Sequence, residues 1–515
     1  MSSRFTLFAI AITAAACTTP EPPDAASAHV RVAHLSPDAP NIDFCVAPHG
    51  TTTFTGPILS SNGHMTGLPY GAVTKYFDLP AEQYDVRLVG PGLADCATPI
   101  GNVPDFTDLP AIEAGDSITI GAEGLVAFGS TNPFDLHVYV DQTTVADGSA
   151  SLRFIHASPG TPAVDVGLGG GVLFTSLFSD ISFGGAAGIA GGYITTAPIA
   201  GAEISARPHG TFQDALSIDP ASLPANAIAT AFAIGELSST TTPLRVLLCV
   251  DNAASVGLLT SCTVVGGTPE RAHVRIAHLS PDAPPVDVCI APASTGVFDR
   301  MLLKTLGGTI GLAYAQVTAY VDLPVGSYDA RIVDANASDC SIGAVKDATG
   351  IAVDDDETAT IAAIGDLDPS GAAAHDPALH LAAFVDDTSV TAAMTKVRFI
   401  HASPGTAAVD VGLGSGVSFV RVFADVAFGT VASADSADNG YVQTSPVATT
   451  PVAARLANQS SDALVVPNVS LAANNVTTAI AVGGKTGSST NPLGLLLCDD
   501  NAPASGLLTA CAIAN

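Results

Sequence analysis

The chain has 515 residues, with 18 lysines and arginines against 48 aspartates and glutamates, a net charge of −30 with histidine neutral. Nucleic-acid binding needs a basic footprint that releases counterions, and this balance excludes it; it also sets the body of the protein against an anionic membrane surface. Charged residues are only 13%, aromatics 6% and tryptophan absent, so flat platforms for sugars or unstacked bases are poorly supplied.

Arg4 and the apolar run Phe5 to Ala16 read as a signal peptide over residues 1–16, since twelve residues are too few to span a bilayer as a helix. The run ends Ala14-Ala15-Ala16-Cys17, which resembles the lipobox of bacterial lipoproteins, whose cysteine becomes the acylated N-terminus. Ala14 stands where leucine is usual, and Ala14-x-Ala16 also fits ordinary signal cleavage. Residues 17–27 are proline-rich and polar, a short semi-rigid tether. Cys17 is the expected lipidation site, and a membrane the expected partner through that lipid. Thr18, rather than aspartate, follows the cysteine. By resemblance to sorting rules in double-membrane bacteria, this implies an outer-membrane lipoprotein, facing the periplasm or the cell surface.

Beyond the tether one pattern recurs about every 120 residues. Arg31, His34, Ser36, Pro37 and Asp43 return as Arg153, His156, Ser158, Pro159 and Asp165. They return again as Arg275, His278, Ser280, Pro281 and Asp287, and as Arg398, His401, Ser403, Pro404 and Asp410. Four sibling domains are expected, over 28–147, 150–264, 272–392 and 396–515. In the first, Val30, Val32 and His34 alternate with Arg31, Ala33 and Leu35. Ser36 to Pro40 is turn chemistry, and Ile42, Phe44 and Val46 alternate again. Further strands are expected at 73–79, 84–89, 117–122 and 136–140. Unit ends echo one another at Asp141, Asp251 and Asp386. Long helical patterns are absent. About seven short strands per unit predict an all-β fold: four tandem immunoglobulin-like antiparallel β-sandwiches.

The cysteines sort themselves by the repeat. Cys45 and Cys96 are 51 apart, as are Cys289 and Cys340; Cys249 and Cys262 are 13 apart, as are Cys498 and Cys511. One local disulfide per unit explains the duplicated spacing, and an exported chain can keep such bonds. Cys17 is then left over, as a lipid anchor would be.

The openings Arg31-Val-Ala-His34-Leu-Ser-Pro-Asp-Ala-Pro40 and Arg153-Phe-Ile-His156-Ala-Ser-Pro-Gly160, with the Leu79-Pro80…Tyr84-Asp85 block, resemble the bacterial family called domain of unknown function 4397. The even units lack the second block. The resemblance implies exported, often repeated β-domains of bacterial envelopes, and brings no activity, cofactor or catalytic residue.

If Ser36–Pro40 folds back as a hairpin, Arg31 and Asp43 should form an exposed cross-strand ion pair, worth about 0.2–1 kcal/mol. His34 should face the core and bond turn backbone or Ser36. A metal site from His34 with Asp38 or Asp43 has too few ligands, and no metal or cofactor is expected, although acidity permits Ca²⁺. Gly167-Leu-Gly169-Gly-Gly171 lacks the third glycine and the helix of a phosphate loop, and Asp354-Asp-Asp-Glu357 lacks calcium-loop spacing. No catalytic signature appears. The expected function is a non-enzymatic envelope spacer, scaffold or adhesion module, with an envelope protein or glycan as partner. A calcium-, peptide- or glycan-binding surface protein is the alternative, and a hydrolase the third reading.

Overall fold

The computed structural model describes residues 27–101, 103–186, 191–293, 295–298, 300–308, 311–369, 377–432, 438–484, 491–502 and 506–514. The signal peptide, Cys17 and the tether up to residue 26 lie outside the described residues. The structure is 51% strand and 3% helix. It divides into two compact units. Among the described residues, one holds those from 27 to 164, 178–201 and 220–267; the other holds 165–177, 202–219 and those from 268 to 514.

Each repeat opens on a strand carrying the arginine and the histidine: Ser27–His34, Ala150–His156, Arg271–His278 and Thr395–His401. In every copy this strand is central. In the first it pairs antiparallel with Ala72–Val73 and Phe77–Pro80, and parallel with Ser117–Glu123, which Asp135–Val140 flanks. The parallel neighbour recurs in the other three copies. In the sheets that hold the opening strands, every other strand pair among the described residues is antiparallel. A second layer completes the sandwich in the first repeat, Asp43–Pro48 with Tyr84–Val89, and in the third, Val286–Pro292, Gly326–Asp334 and Ala344–Val353. In the fourth, Val409–Leu413, Val420–Val426, Val447–Leu456 and Asp462–Leu471 form it.

The expected hairpin between the first two strands does not form. They belong to different layers, so Ser36–Pro40 is a crossover between sheets rather than a tight turn. Val32, Ile42, Phe44, Val86 and Leu88 fill the first sandwich. The other face of the opening strand, expected outward, is buried as well. Ala33 and Leu35 pack with Ile155, Ala157, Phe232 and Leu247 of the second repeat. The second pair repeats the arrangement: Ala277, Leu279 and Ile364 share a cluster with Ile400, Ala402 and Ile480. A strand covered on both faces loses the polar alternation that marks an outer surface.

Disulfides join Cys45 to Cys96, Cys249 to Cys262, Cys289 to Cys340 and Cys498 to Cys511, the pairing expected from the spacing. The 51-residue links staple strands to loops. The 13-residue links sit across paired strands, with Cα atoms 4.1 Å apart. Chain-entropy reasoning predicts that replacing Cys45 and Cys96 by alanine costs about 4 kcal/mol, against about 3 kcal/mol for Cys249 and Cys262. Urea unfolding of the two double variants measures this, and peptide mapping without reductant confirms the partners.

Candidate functional site

Among the described residues the repeated arginine is the largest buried side chain of each repeat: Arg31, Arg153 and Arg398 are fully inaccessible and Arg275 nearly so. The opening strand aims each one away from its own sandwich and into the seam with the sister repeat. There the partners are exchanged. Arg31 donates from Nη2 to Asp251 Oδ1 at 2.8 Å, across the seam, and from Nε to Thr119 Oγ1 at 2.8 Å. Arg153 donates from Nη2 to Asp141 Oδ1 at 2.5 Å, in the opposite direction, and to Thr230 Oγ1 at 3.0 Å. Each aspartate is held from its own side. Tyr76 and Thr119 donate to Asp141 at 2.6 and 2.7 Å; Tyr193 and Thr230 donate to Asp251 at 2.9 and 2.6 Å. The guanidinium carbons lie 4.9 and 4.5 Å from the Tyr76 and Tyr193 ring centres.

The second pair repeats every role. Arg275 meets Asp500 Oδ1 at 2.8 Å and donates to Thr360 at 2.7 Å, while Arg398 donates to Asp386 and Thr478. Tyr320 and Tyr441 donate to Asp386 and Asp500. Burial by itself would lower the pKa of Arg31 and Arg275, but the facing carboxylates outweigh it and hold both above the ordinary arginine value. Burial pushes Tyr76 and Tyr320 up, with their aspartates adding to it.

The expected Arg31–Asp43 pair is therefore corrected. Asp43 instead accepts from the backbone N–H groups of Leu59 and Ser60 at 2.8 Å and from the Ser60 hydroxyl at 2.7 Å. This fastens the one-turn helix Ile58–Ser61. Asp287 does the same for Leu302–Thr305 through Leu303 and Lys304. In the even repeats no such helix exists among the described residues. Asp165 faces His209 at 2.9 Å, and Asp410 accepts from Asp425 N–H at 2.8 Å and faces Arg421 at 3.3 Å.

The four histidines are buried, and each ring donates from Nε2 to a carbonyl six residues on. His34 reaches Pro40, His156 reaches Pro162 and His278 reaches Pro284, all at 3.0 Å; His401 reaches Ala407 at 3.2 Å. They lock the crossover. Burial lowers all four pKa values against the carbonyl bond, His34 to about 4. Asp38 and Asp282, which a metal site would need, accept backbone N–H bonds from 126–127 and 367–368.

One polar cluster belongs to a single repeat. Glu123 is fully buried; Tyr139 donates to it at 2.9 Å and His137 Nδ1 stands 3.3 Å away. Burial raises the Glu123 pKa, and Glu123 in turn raises that of His137. In the third repeat the register puts Ile364, Phe384 and Ala382 at these places. The fourth sandwich encloses an apolar cavity of about 310 Å³ lined by Val397, Phe399, Val411, Phe423, Val452 and Leu495, among others, with no histidine, serine or aspartate. The interiors of the first and third leave about 50 and 40 Å³. Among the described residues no three histidines, cysteines or carboxylates stand together as metal ligands, and no helix is long and apolar enough to cross a membrane.

The sequence reading singled out the arginines but assigned them the wrong partners. Asp141, Asp251 and Asp386 carried a signal, the echo at the unit ends, and Tyr76 and Tyr320 lay in a recurring block. Thr119, Thr230, Thr360 and Thr478 went unnoticed, although a threonine recurs at the third residue of the parallel-paired strand in every copy.

Two measurements follow from this geometry. Removing one partner of a buried ion pair strands the other, so Arg31→Met should cost about 3–5 kcal/mol. Arg87→Met, which breaks a half-exposed pair with Asp105, should cost under about 1 kcal/mol. Urea unfolding compares them. For the histidines, folded and unfolded chains are both neutral above pH 6.5. Between about 6.5 and about 4 the unfolded chain takes up protons that the folded chain refuses. Stability should fall as pH drops through that window, and fall less steeply in His34→Gln, measured by thermal melts from pH 7.5 to 4.

Comparison with known proteins comes to the same repeats. The model of the family described as "Domain of unknown function (DUF4397)" matches residues 28–167 and 272–412, each an odd repeat running into the second strand of the next even one. A search of curated proteins finds no match. Among solved structures, a candidate cell adhesion protein of Bacteroides fragilis is 10% identical, covering 45% of this chain and 99% of its own, with a TM-score of 0.13. The Bacillus anthracis TIE protein is 7% identical over 86% of this chain and 68% of its own, also at 0.13. BcpA, the major pilin subunit of Bacillus cereus, is 9% identical over 66% of this chain and 100% of its own, at 0.10. At such TM-scores these likenesses carry no argument. The family match covers more than half of the chain, and the protein belongs to the DUF4397 family.

Proposed function

We propose that this chain is a non-enzymatic module of the bacterial cell envelope, exported and tethered through a lipid on Cys17. It serves as a scaffold or adhesion element that presents its repeats to an envelope protein or glycan. One observation carries the reading: the recurring polar residues are all engaged in construction. Arg31, His34 and Asp43 and their counterparts in the third repeat are buried and bonded to the protein itself, and the arginines and histidines of the even repeats are likewise. A catalytic or ligand-binding motif would leave at least one recurring polar group facing a cleft. The disulfides supply the durability that an exposed protein needs.

Metabolic labelling with a palmitate analogue, followed by membrane fractionation and protease shaving of intact cells, tests the proposal. Labelled, membrane-bound, protease-accessible protein is expected, with label and membrane retention lost in Cys17→Ser. Unlabelled protein, or full protection from protease in both membrane and periplasmic preparations, would refute the anchoring and display. Binding of whole cells to host or envelope glycans, lost on deletion of the gene and restored by the wild-type chain, separates adhesion from scaffolding.

A further inference from the structure

Within the second compact unit a short turn of the second repeat seats itself in the third. The 3₁₀ turn Gly171–Leu173 buries Val172 in the cluster of Ala272, Val274, Leu323 and Tyr328. The turn is held rigid from behind. Arg207 donates to Gly171 O at 2.9 Å, Asp214 accepts from Gly171 N–H at 2.5 Å and pairs with Arg207 at 2.9 Å, and the guanidinium lies 3.6 Å over the Phe174 ring. From the receiving side, Arg271 clamps Asp214 at 2.7 Å, Glu203 at 2.5 Å and Ser205 at 3.1 Å.

The fourth repeat builds the same knob. Its 3₁₀ turn Gly416–Ser418 is held by Arg455 bonded to Gly416 O, by Asp462 accepting from Gly416 N–H at 2.7 Å, and by Arg455 lying 4.0 Å over Phe419. Yet Val417, the counterpart of Val172, is fully exposed, and Val420 beside it is largely so. The first repeat, in turn, keeps an open copy of the seat. Ala28 pairs with Leu79 and His29 with Asp78, as Ala272 pairs with Leu323 and His273 with Asp322. Under the Val172 turn, Asp322 is 12% exposed; at the open seat, Asp78 is 73% exposed. Leu323 and Tyr328 are buried, whereas Leu79 and Tyr84 are half-exposed.

We propose that this protein associates head to tail with a second copy of itself, the Val417 turn of one molecule seating against Leu79 and Tyr84 of the next. The charge pattern fits this occupant. Ser27 stands where Arg271 clamps the internal junction, so the open seat has lost its arginine. By strand position, Pro451 and Ala453 stand where Glu203 and Ser205 receive it, so the exposed knob has lost the matching acceptors. Both sides of the clamp are gone together, so docking leaves no clamp arginine without its acceptors. Asp462 keeps its own Arg455 at 2.6 Å. The contact is heterologous: each copy that uses its knob keeps its seat, so association can continue beyond a dimer. This inference is independent of export and anchoring.

Sedimentation velocity on the chain carrying Cys17→Ser, over a wide concentration range, is the test. The sedimentation coefficient should rise with concentration, and Val417→Asp should lower the association constant about tenfold or more, by the loss of one buried valine. Leu79→Glu should do the same. An equimolar mixture of the two variants should form dimers and nothing longer, since only one knob and one seat remain intact. If Leu79→Glu loses its melting transition, Asp78→Arg, on an exposed side chain beside the seat, takes its place. A chain that stays monomeric at every concentration would overturn the proposal. So would association indifferent to Val417→Asp, or a mixture no larger than either variant alone.

Discussion

The reciprocal exchange of arginine and aspartate across each seam is the constraint on which the rest of these repeats depends. An arginine without solvent is tolerable only if its charge is met and its donors are engaged. Arg31 stands 3.5 Å from Asp141 of its own repeat and 2.8 Å from Asp251 of the second, whereas Arg153 meets its carboxylate, Asp141, across the seam. In both pairs the shortest carboxylate contact of each buried arginine comes from the sister repeat. The threonine and tyrosine donors of its own repeat hold each carboxylate that the foreign guanidinium meets. An odd–even pair is therefore the unit within which the arginines and aspartates of a seam meet, and the apolar clusters around Leu35 and Ile155, or Leu279 and Ile400, pack around that centre.

This explains how one motif serves two kinds of repeat. The arginine and histidine keep their roles in all four copies because both act where the repeats are alike, on the opening strand and the crossover after it. The aspartate does not. In the odd repeats it fastens a one-turn helix whose leucines, Leu59 or Leu302 and Leu303, fill the sandwich. In the even repeats it faces different partners, and the fourth sandwich keeps its cavity of about 310 Å³. The Glu123–His137–Tyr139 cluster shows the opposite freedom. The third repeat replaces all three members by apolar residues at once, so no member of the cluster is left buried without the others.

Much of the fold was legible in the residues. Period-two alternation located the strands around Val32, Phe44, Val86 and Ile118, because one face of each is a sandwich interior. Duplicated spacing located the disulfides, because a loop of fixed length closes the same way twice. The hairpin reading failed because a turn of Ser and Pro between two strands looks the same whether they pair or change sheets. The exposed Arg31–Asp43 pair failed with it. Charge next to small residues, as in Arg31-Val-Ala33, reads as a solvent face unless the covering surface, here more than a hundred residues away in sequence, is known.

By itself the sequence determined the period, the all-β character, the local sulfur links and the structural use of the histidine, since each is a short-range property of chain chemistry. Only the tertiary structure decided that the arginines are buried, which aspartates they meet, and that Val172 is covered while Val417 is bare. Those outcomes turn on which surface arrives from a distant repeat, and a residue's own neighbours in the chain hold no record of that.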